Sequence, residues 1–159
     1  MATLDLLLRR REVEVFEVPE WDSRPPQRCL YMTRSFLEWT DLVDDFLAEE
    51  FRTSRRSHAE HLEMMFSDYR CADRPGAGDL KRMKPTGQGV RKMHPPGLRI
   101  YGFCLKPGAA FVAVTGALEI ETKRDGRVNT LKLREVRKFI RDNRLDDVVM
   151  RGNNYELFP

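Results

Sequence analysis

Leu98-Arg99-Ile100-Tyr101-Gly102-Phe103-Cys104-Leu105, then Lys106-Pro107-Gly108, then Ala110-Phe111-Val112-Ala113-Val114-Thr115 is the stretch on which the fold turns. Both flanking runs are apolar, β-branched or aromatic, and Pro107-Gly108 supplies the fixed and the permissive backbone that a tight reversal needs, which predicts a β-hairpin. Ala117–Thr122 reads as the second strand continuing past a bulge at Gly116. Downstream, Asp125-Gly126 is a turn signal, and Asn129 or Thr130 caps a last helix with Leu133, Val136, Phe139 and Ile140 on one face. Upstream, Ala72–Gly89 holds Pro75, Gly76, Gly78, Pro85, Gly87 and Gly89 and reads as a loop.

Two helices are expected before that loop. Ser35 with Glu38 has the spacing of a capping box, followed by Trp39, Leu42, Val43, Phe46 and Leu47 at helical intervals. Ser57 with Glu60 repeats the signal ahead of Leu62, Met65, Phe66 and Tyr69, and the short polar link 52–56 predicts an antiparallel helical hairpin. Glu12–Val18 alternates apolar residues with carboxylates as a half-buried strand does, and Arg28–Thr33 is a second extended piece. The order predicts an α+β fold in one domain over 1–159, a small antiparallel sheet against the hairpin with a C-terminal helix, and a C-terminal arm at 146–159 that packs or stays mobile.

Composition narrows the function classes. A chain of 159 residues buries about two-thirds of its unfolded surface without a staple. Cys29, Cys71 and Cys104 are far apart and outside any C-x-x-C spacing, which argues for buried thiols and a cytoplasmic, reducing setting rather than a zinc or disulfide framework. The longest uncharged run, Pro107–Leu118, falls short of the ~20 apolar residues of a membrane span. Gly87-Gln88-Gly89 and Gly76-Ala77-Gly78 lack the later glycine and the strand-to-helix setting of a phosphate loop, so no nucleotide cofactor is expected. His58 and His61 sit three apart beside Glu60 and Glu63, but no third histidine is near and the H-E-x-x-H order is absent. They read as helix-surface residues, and no metal is expected.

Charge is segregated along the chain. Between Leu80 and Leu118 lie Lys81, Arg82, Lys84, Arg91, Lys92, Arg99 and Lys106 with no acidic residue, whereas Ser35–Phe51 carries Glu38, Asp41, Asp44, Asp45, Glu49 and Glu50 with no Lys or Arg. A basic side of this kind attracts phosphates. His94 lies among Arg91, Lys92 and Arg99, where positive neighbours hold an imidazole neutral and able to accept a proton. A neutral base beside cations is one way to cleave RNA without a metal: the base takes the 2′-hydroxyl proton and the cations stabilise the phosphorane. Lys123 and Arg124 close the last expected strand and Arg127 follows, placing further cations at the sheet end. Tyr101 and Phe103, alternating on one strand face, read as sheet core rather than base-stacking groups.

The stretches Leu80-Lys81-Arg82-Met83-Lys84-Pro85, Gly97-Leu98-Arg99-Ile100-Tyr101-Gly102-Phe103, Phe111–Ala117 and Lys123-Arg124, with the basic helix after Asn129-Thr130, resemble the small toxins of the RelE/ParE superfamily, in particular the HigB-like and phage-derived Gp49-like branch. The resemblance runs over about residues 35–141. It implies a RelE-like sheet and hairpin, cleavage of messenger RNA, commonly in the ribosomal decoding site, and an antitoxin protein as partner. It matches Arg99 to the family's central-strand arginine and Lys123 or Arg124 to the lysine after the sheet, both at the scissile phosphate. The expected site is therefore Arg99, His94, Lys123 and Arg124 at the chemistry, with Lys81, Arg82, Lys84, Arg91, Lys92 and Arg127 along the RNA. A non-catalytic module that binds nucleic acid or protein through the same fold is the alternative; it needs the cations but no proton-transfer residue.

Overall fold

The computed structural model describes residues 2–52, 54–75 and 80–158, so the Gly76-Ala77-Gly78 run lies outside the described residues. A six-stranded open sheet runs β1-β2-β6-β5-β4-β3, with helices on both faces. Helix α1 (Ala2–Arg9), built on the early leucine run, buries Leu4 and Leu7. Strands β1 (Val13–Val15) and β2 (Leu30–Thr33) pair antiparallel; β1 is shorter than the alternation suggests, the chain leaving the ladder after Phe16, whose amide donates to the Leu30 carbonyl and whose ring meets Phe66 edge-on at 5.4 Å.

Thr33, not Ser35, caps α2 (Arg34–Leu42): its hydroxyl accepts from the Phe36 amide, while the Ser35 hydroxyl donates to the Val114 carbonyl. The helix expected to run on through Leu47 breaks at Val43 and resumes as α3 (Asp44–Ala48). That break changes the expected hairpin, since α2 packs on β6 while α3 contacts α4 (His58–Cys71). Helix α4 begins with the anticipated capping box, Ser57 and Glu60 satisfying each other's backbone amides.

Beyond the loop come β3 (Lys81–Arg82), β4 (Arg91–Met93), β5 (Leu98–Leu105) and β6 (Ala110–Leu118). The β5–β6 hairpin has the expected limits at its turn, but the irregularity lies between Tyr101 and Gly102 rather than at Gly116. Gly116 serves a different need: a Cβ there would run into the indole of Trp39, so the missing side chain is what lets α2 lie close on the sheet. The sheet is mixed, not wholly antiparallel, because β2 joins β6 in parallel after a long crossover that carries α2, α3 and α4 over one face. Residues 119–124, expected to be strand, instead form α5 (Glu119–Arg124). Helix α6 (Arg127–Asp142) starts before Asn129, with the Asp125 carboxylate accepting from the Arg127 amide.

Each face of the sheet has its own core. On one, Phe36, Trp39, Leu62, Phe66 and Tyr69 pack on Ile100, Cys104 and Phe111. On the other, Val136, Ile140 and the α1 leucines pack on Phe103, Val112 and Val114. Each fully buried large side chain contributes about 1.5–3 kcal/mol. The C-terminal arm is packed: Val149 bridges Leu105, the Met150 amide donates to the Cys104 carbonyl, and Leu157 and Phe158 of the segment around α7 (Asn154–Leu157) join the first core. Cys71 and Cys104 are buried free thiols, whereas Cys29 is only partly covered. No helix among the described residues is long and apolar enough to cross a membrane.

Candidate nucleic-acid interface

The site is built by strand alternation. Opposed residues of an antiparallel ladder project to one face, so the pairs Lys81–Lys92 and Lys92–Tyr101 put these side chains with Arg99 on the α6 side of the sheet. Continuing the β4–β5 register brings His94 level with Arg99. The turn between them needs Gly97, which has φ +74° and whose missing Cβ would lie 2.8 Å from the His58 ring. At this end α6 reaches Tyr101 through Asn129, while Lys92, His94 and Arg99 remain only partly buried and Lys81 is exposed. Lys81, Lys92, His94 and Arg99 thus form a cluster at a partly covered corner.

Electrostatics couple them. His94 is half-buried and its Nε2, fully covered, has no hydrogen-bond partner among the described residues. Burial first, then the charges of Arg99, Lys92 and Lys81, push its pKa down to about 4 against an opposing pull from Glu119, so the ring is neutral at physiological pH. Lys92 is also pushed down, by burial and then by Arg99 and Lys81. Arg99 donates from Nη1 to the Leu98 carbonyl at 2.6 Å and pairs through Nη2 with Glu119 at 3.4 Å. Glu119 also takes the Lys123 ammonium at 2.7 Å one turn along α5. The Lys123 hydrogen bond, then the charges of Arg99, Lys123 and Arg52, hold its carboxyl below the ordinary range, so it is ionised in the free protein.

The remaining predicted residues disperse. Lys123 reaches the site through Glu119, from a helix and not from a strand end, and Arg124 is exposed on the last turn of that helix. Arg127 is exposed and engaged with Asp125 at 3.1 Å, beside the α6 start. Lys84 is exposed in the loop after β3. Arg91 is fully buried on the opposite face, where Nη2 donates to the Met150 and Gly152 carbonyls. Arg82 opposes Arg91 and shares that face. His58, expected on a helix surface, is buried, stacked on Phe46 and donating from Nδ1 to the Glu49 carbonyl at 2.8 Å.

Sequence reasoning missed Glu119, which looked like part of a strand, and two α6 residues. The Tyr101 hydroxyl donates to Asn129 Oδ1 at 2.5 Å, and Lys132 Nζ donates to the buried Thr115 hydroxyl at 3.2 Å. Burial pushes the Tyr101 phenol up to about 12, keeping it a donor. Asn129 and Lys132 are three apart on a helix that follows the sheet, a spacing that marks one helix face. Among the described residues no group of three or more His, Cys, Asp or Glu is placed to hold a metal ion. No family model matches the chain, and neither a curated protein nor a solved structure matches it.

Proposed function

We propose that the chain is a toxin-like endoribonuclease of the RelE/ParE kind, acting in the cytoplasm on messenger RNA at the ribosome, with a protein antitoxin covering the basic corner when idle. In this reading the sheet between α2–α4 and α6 is the RelE-like arrangement. The observation that carries the proposal is a neutral histidine inside a ring of cations: His94 among Lys81, Lys92 and Arg99.

The chemistry follows from charge. Burial and then the charges of Arg99, Lys92 and Lys81 hold the His94 pKa low. A phosphodiester binding to those cations offsets the charge part, so the pKa rises part of the way toward the ordinary value and the ring becomes a stronger base. Engaging Nε2 requires the surrounding side chains to part as the phosphate binds. His94 takes the 2′-hydroxyl proton, the oxygen attacks phosphorus, and Arg99 stabilises the charge that develops. Lys92, its pKa already depressed, protonates the departing 5′-oxygen. A P–O bond forms as another breaks, giving a 2′,3′-cyclic phosphate and a 5′-hydroxyl.

A second reading has its own support. Arg99 and Lys123 are both held by Glu119 in the free protein, which suits a recognition surface as well as a catalytic one. Induced expression in a bacterial host, with growth followed and 5′ ends of messenger RNA mapped, separates them. Growth arrest with new 5′-hydroxyl ends, lost in His94→Gln while RNA binding persists, is the expected result. A folded protein that binds RNA and cuts none would transfer the conclusion to the binding module.

A further inference from the structure

Beside the basic corner lies a groove of about 350 Å³ between the α3–α4 connection and α5. Its walls are Phe46, Phe51, His58 and Ile120, so it is mainly apolar in a charged neighbourhood. Ile120 is left 49% exposed there, an unusual position for an apolar side chain of its size. The aromatic walls stand at a corner. Phe46 and His58 are stacked with centroids 4.2 Å apart and planes 32° apart, and Phe51 meets His58 edge-on at 5.5 Å and 80°. The His58 ring is held in place by Nδ1 donating to the Glu49 carbonyl, and a flat heterocycle suits such an aromatic corner.

The groove meets the cationic cluster at the sheet end through one residue, Glu119, which lines the groove with Lys123 and pairs with Arg99. Arg52 lines it as well, 5.0 Å above the Phe51 ring. A ligand here therefore has a planar apolar part against the walls and an anion that takes the place of the Glu119 carboxylate on Arg99 and Lys123, with Arg52 beside them. The volume sits at the small end of ligand sites, roughly 300–1,000 Å³, and accommodates one heterocycle rather than a stacked run. We infer that this groove is a nucleobase subsite, holding the base of one RNA nucleotide next to the phosphate bound at Arg99; the inference rests on the RNA reading above. It adds a contact that is independent of salt to one that is not, as single-strand binders do with aromatic platforms in positive grooves.

The test uses the full chain and a set of short RNAs of equal phosphate count, each lacking the base at one position and blocked from cleavage by a 2′-deoxy sugar. Affinity is read by fluorescence anisotropy at several salt concentrations. Removing the base at one position is expected to weaken binding on the order of tenfold, with much smaller losses elsewhere, in line with about 1–3 kcal/mol for a stacked base. Phe51→Ala should bring intact RNA to the affinity of that abasic RNA with the salt dependence unchanged. Ile120→Ala, at an exposed position that leaves folding intact, should do the same in part. Salt-dependent binding with no position favoured, or an abasic loss that survives both substitutions, would overturn the subsite and leave the groove to another occupant. Absence of salt-dependent RNA binding would overturn the subsite together with the reading beneath it.

Discussion

Arg91 and Lys92 are neighbours in the chain and occupy opposite sides of β4. Arg91 points into the α4-side core, where its guanidinium donates to the Met150 and Gly152 carbonyls of the C-terminal arm. Lys92 points to the partly covered corner with Arg99 and His94. Both have pKa values depressed by burial, but the consequences differ. Arg91 ties down the C-terminal arm through two of its carbonyls, whereas Lys92, in the reading proposed above, meets a phosphate. A run of cations along a strand is thus two sets, sorted by which face the rest of the chain covers.

The sharpest way to break that contrast is to remove one member at a time. Arg91→Ala should destabilise the fold by about 4 kcal/mol or more, combining a large-to-small core loss of about 2–5 kcal/mol with two orphaned carbonyls. Lys92→Ala, at a partly buried position without a core role, should change stability by about 1 kcal/mol or less. Denaturant midpoints of the two variants check both; equal midpoints would erase the distinction. Next in size, on the ribonuclease reading, Arg99→Ala should lower RNA cleavage by about 10²–10³-fold with the fold retained, the usual cost of losing one donor to a transition-state anion. Single-turnover cleavage of a short RNA measures it, and a loss confined to affinity would make Arg99 a docking contact only.

How far the sequence alone reaches follows the same division. The β5–β6 hairpin, the Ser57 cap of α4 and the basic α6 were legible because each rests on local spacing: period two, S-x-x-E, or an apolar face every three to four residues. Residues 119–124 were misread because Leu118, Ile120 and Thr122 alternate as a strand does, while the acidic first turn and basic last turn of α5 gave a competing helix signal. His94, Lys92 and Arg99 were found from charge and do meet. Arg91 and Arg82 were grouped with them because only the tertiary arrangement, in which the C-terminal arm caps Arg91, tells the faces apart. Glu119 reaches the corner from α5 and Lys132 reaches Thr115 from α6, and no spacing within the hairpin announces them.

A smaller effect refines the open side of the comparison. If Lys92 contacts one phosphate, Lys92→Ala should reduce the slope of log affinity against log salt by about one, whereas Lys106→Ala, at the far turn of the hairpin, should leave it unchanged. Anisotropy titrations of single-stranded RNA between low and moderate salt read both slopes, and an equal change in each would mean the corner is not where the RNA lies.

The smallest effect concerns stability and acid. His94 has an ordinary pKa of 6.5 when unfolded and about 4 when folded, so between those values the unfolded state holds more protons and folding weakens as the pH falls. The stability is fully present above pH 6.5 and is lost progressively toward pH 4. Because the ring is only half-buried, solvent screening discounts the full shift, leaving about 1 kcal/mol. Glu119, whose folded pKa lies below its ordinary 4.5, loses its contribution only beneath that value, and the comparison with His94→Gln separates His94 from the chain's other two histidines. Across pH 4.5–6.5 the wild-type thermal midpoint should fall more steeply than that of His94→Gln, which has no proton to gain. Parallel curves would mean that the imidazole is already solvated in the folded protein, and with that the cations around it would lose their hold on its charge state.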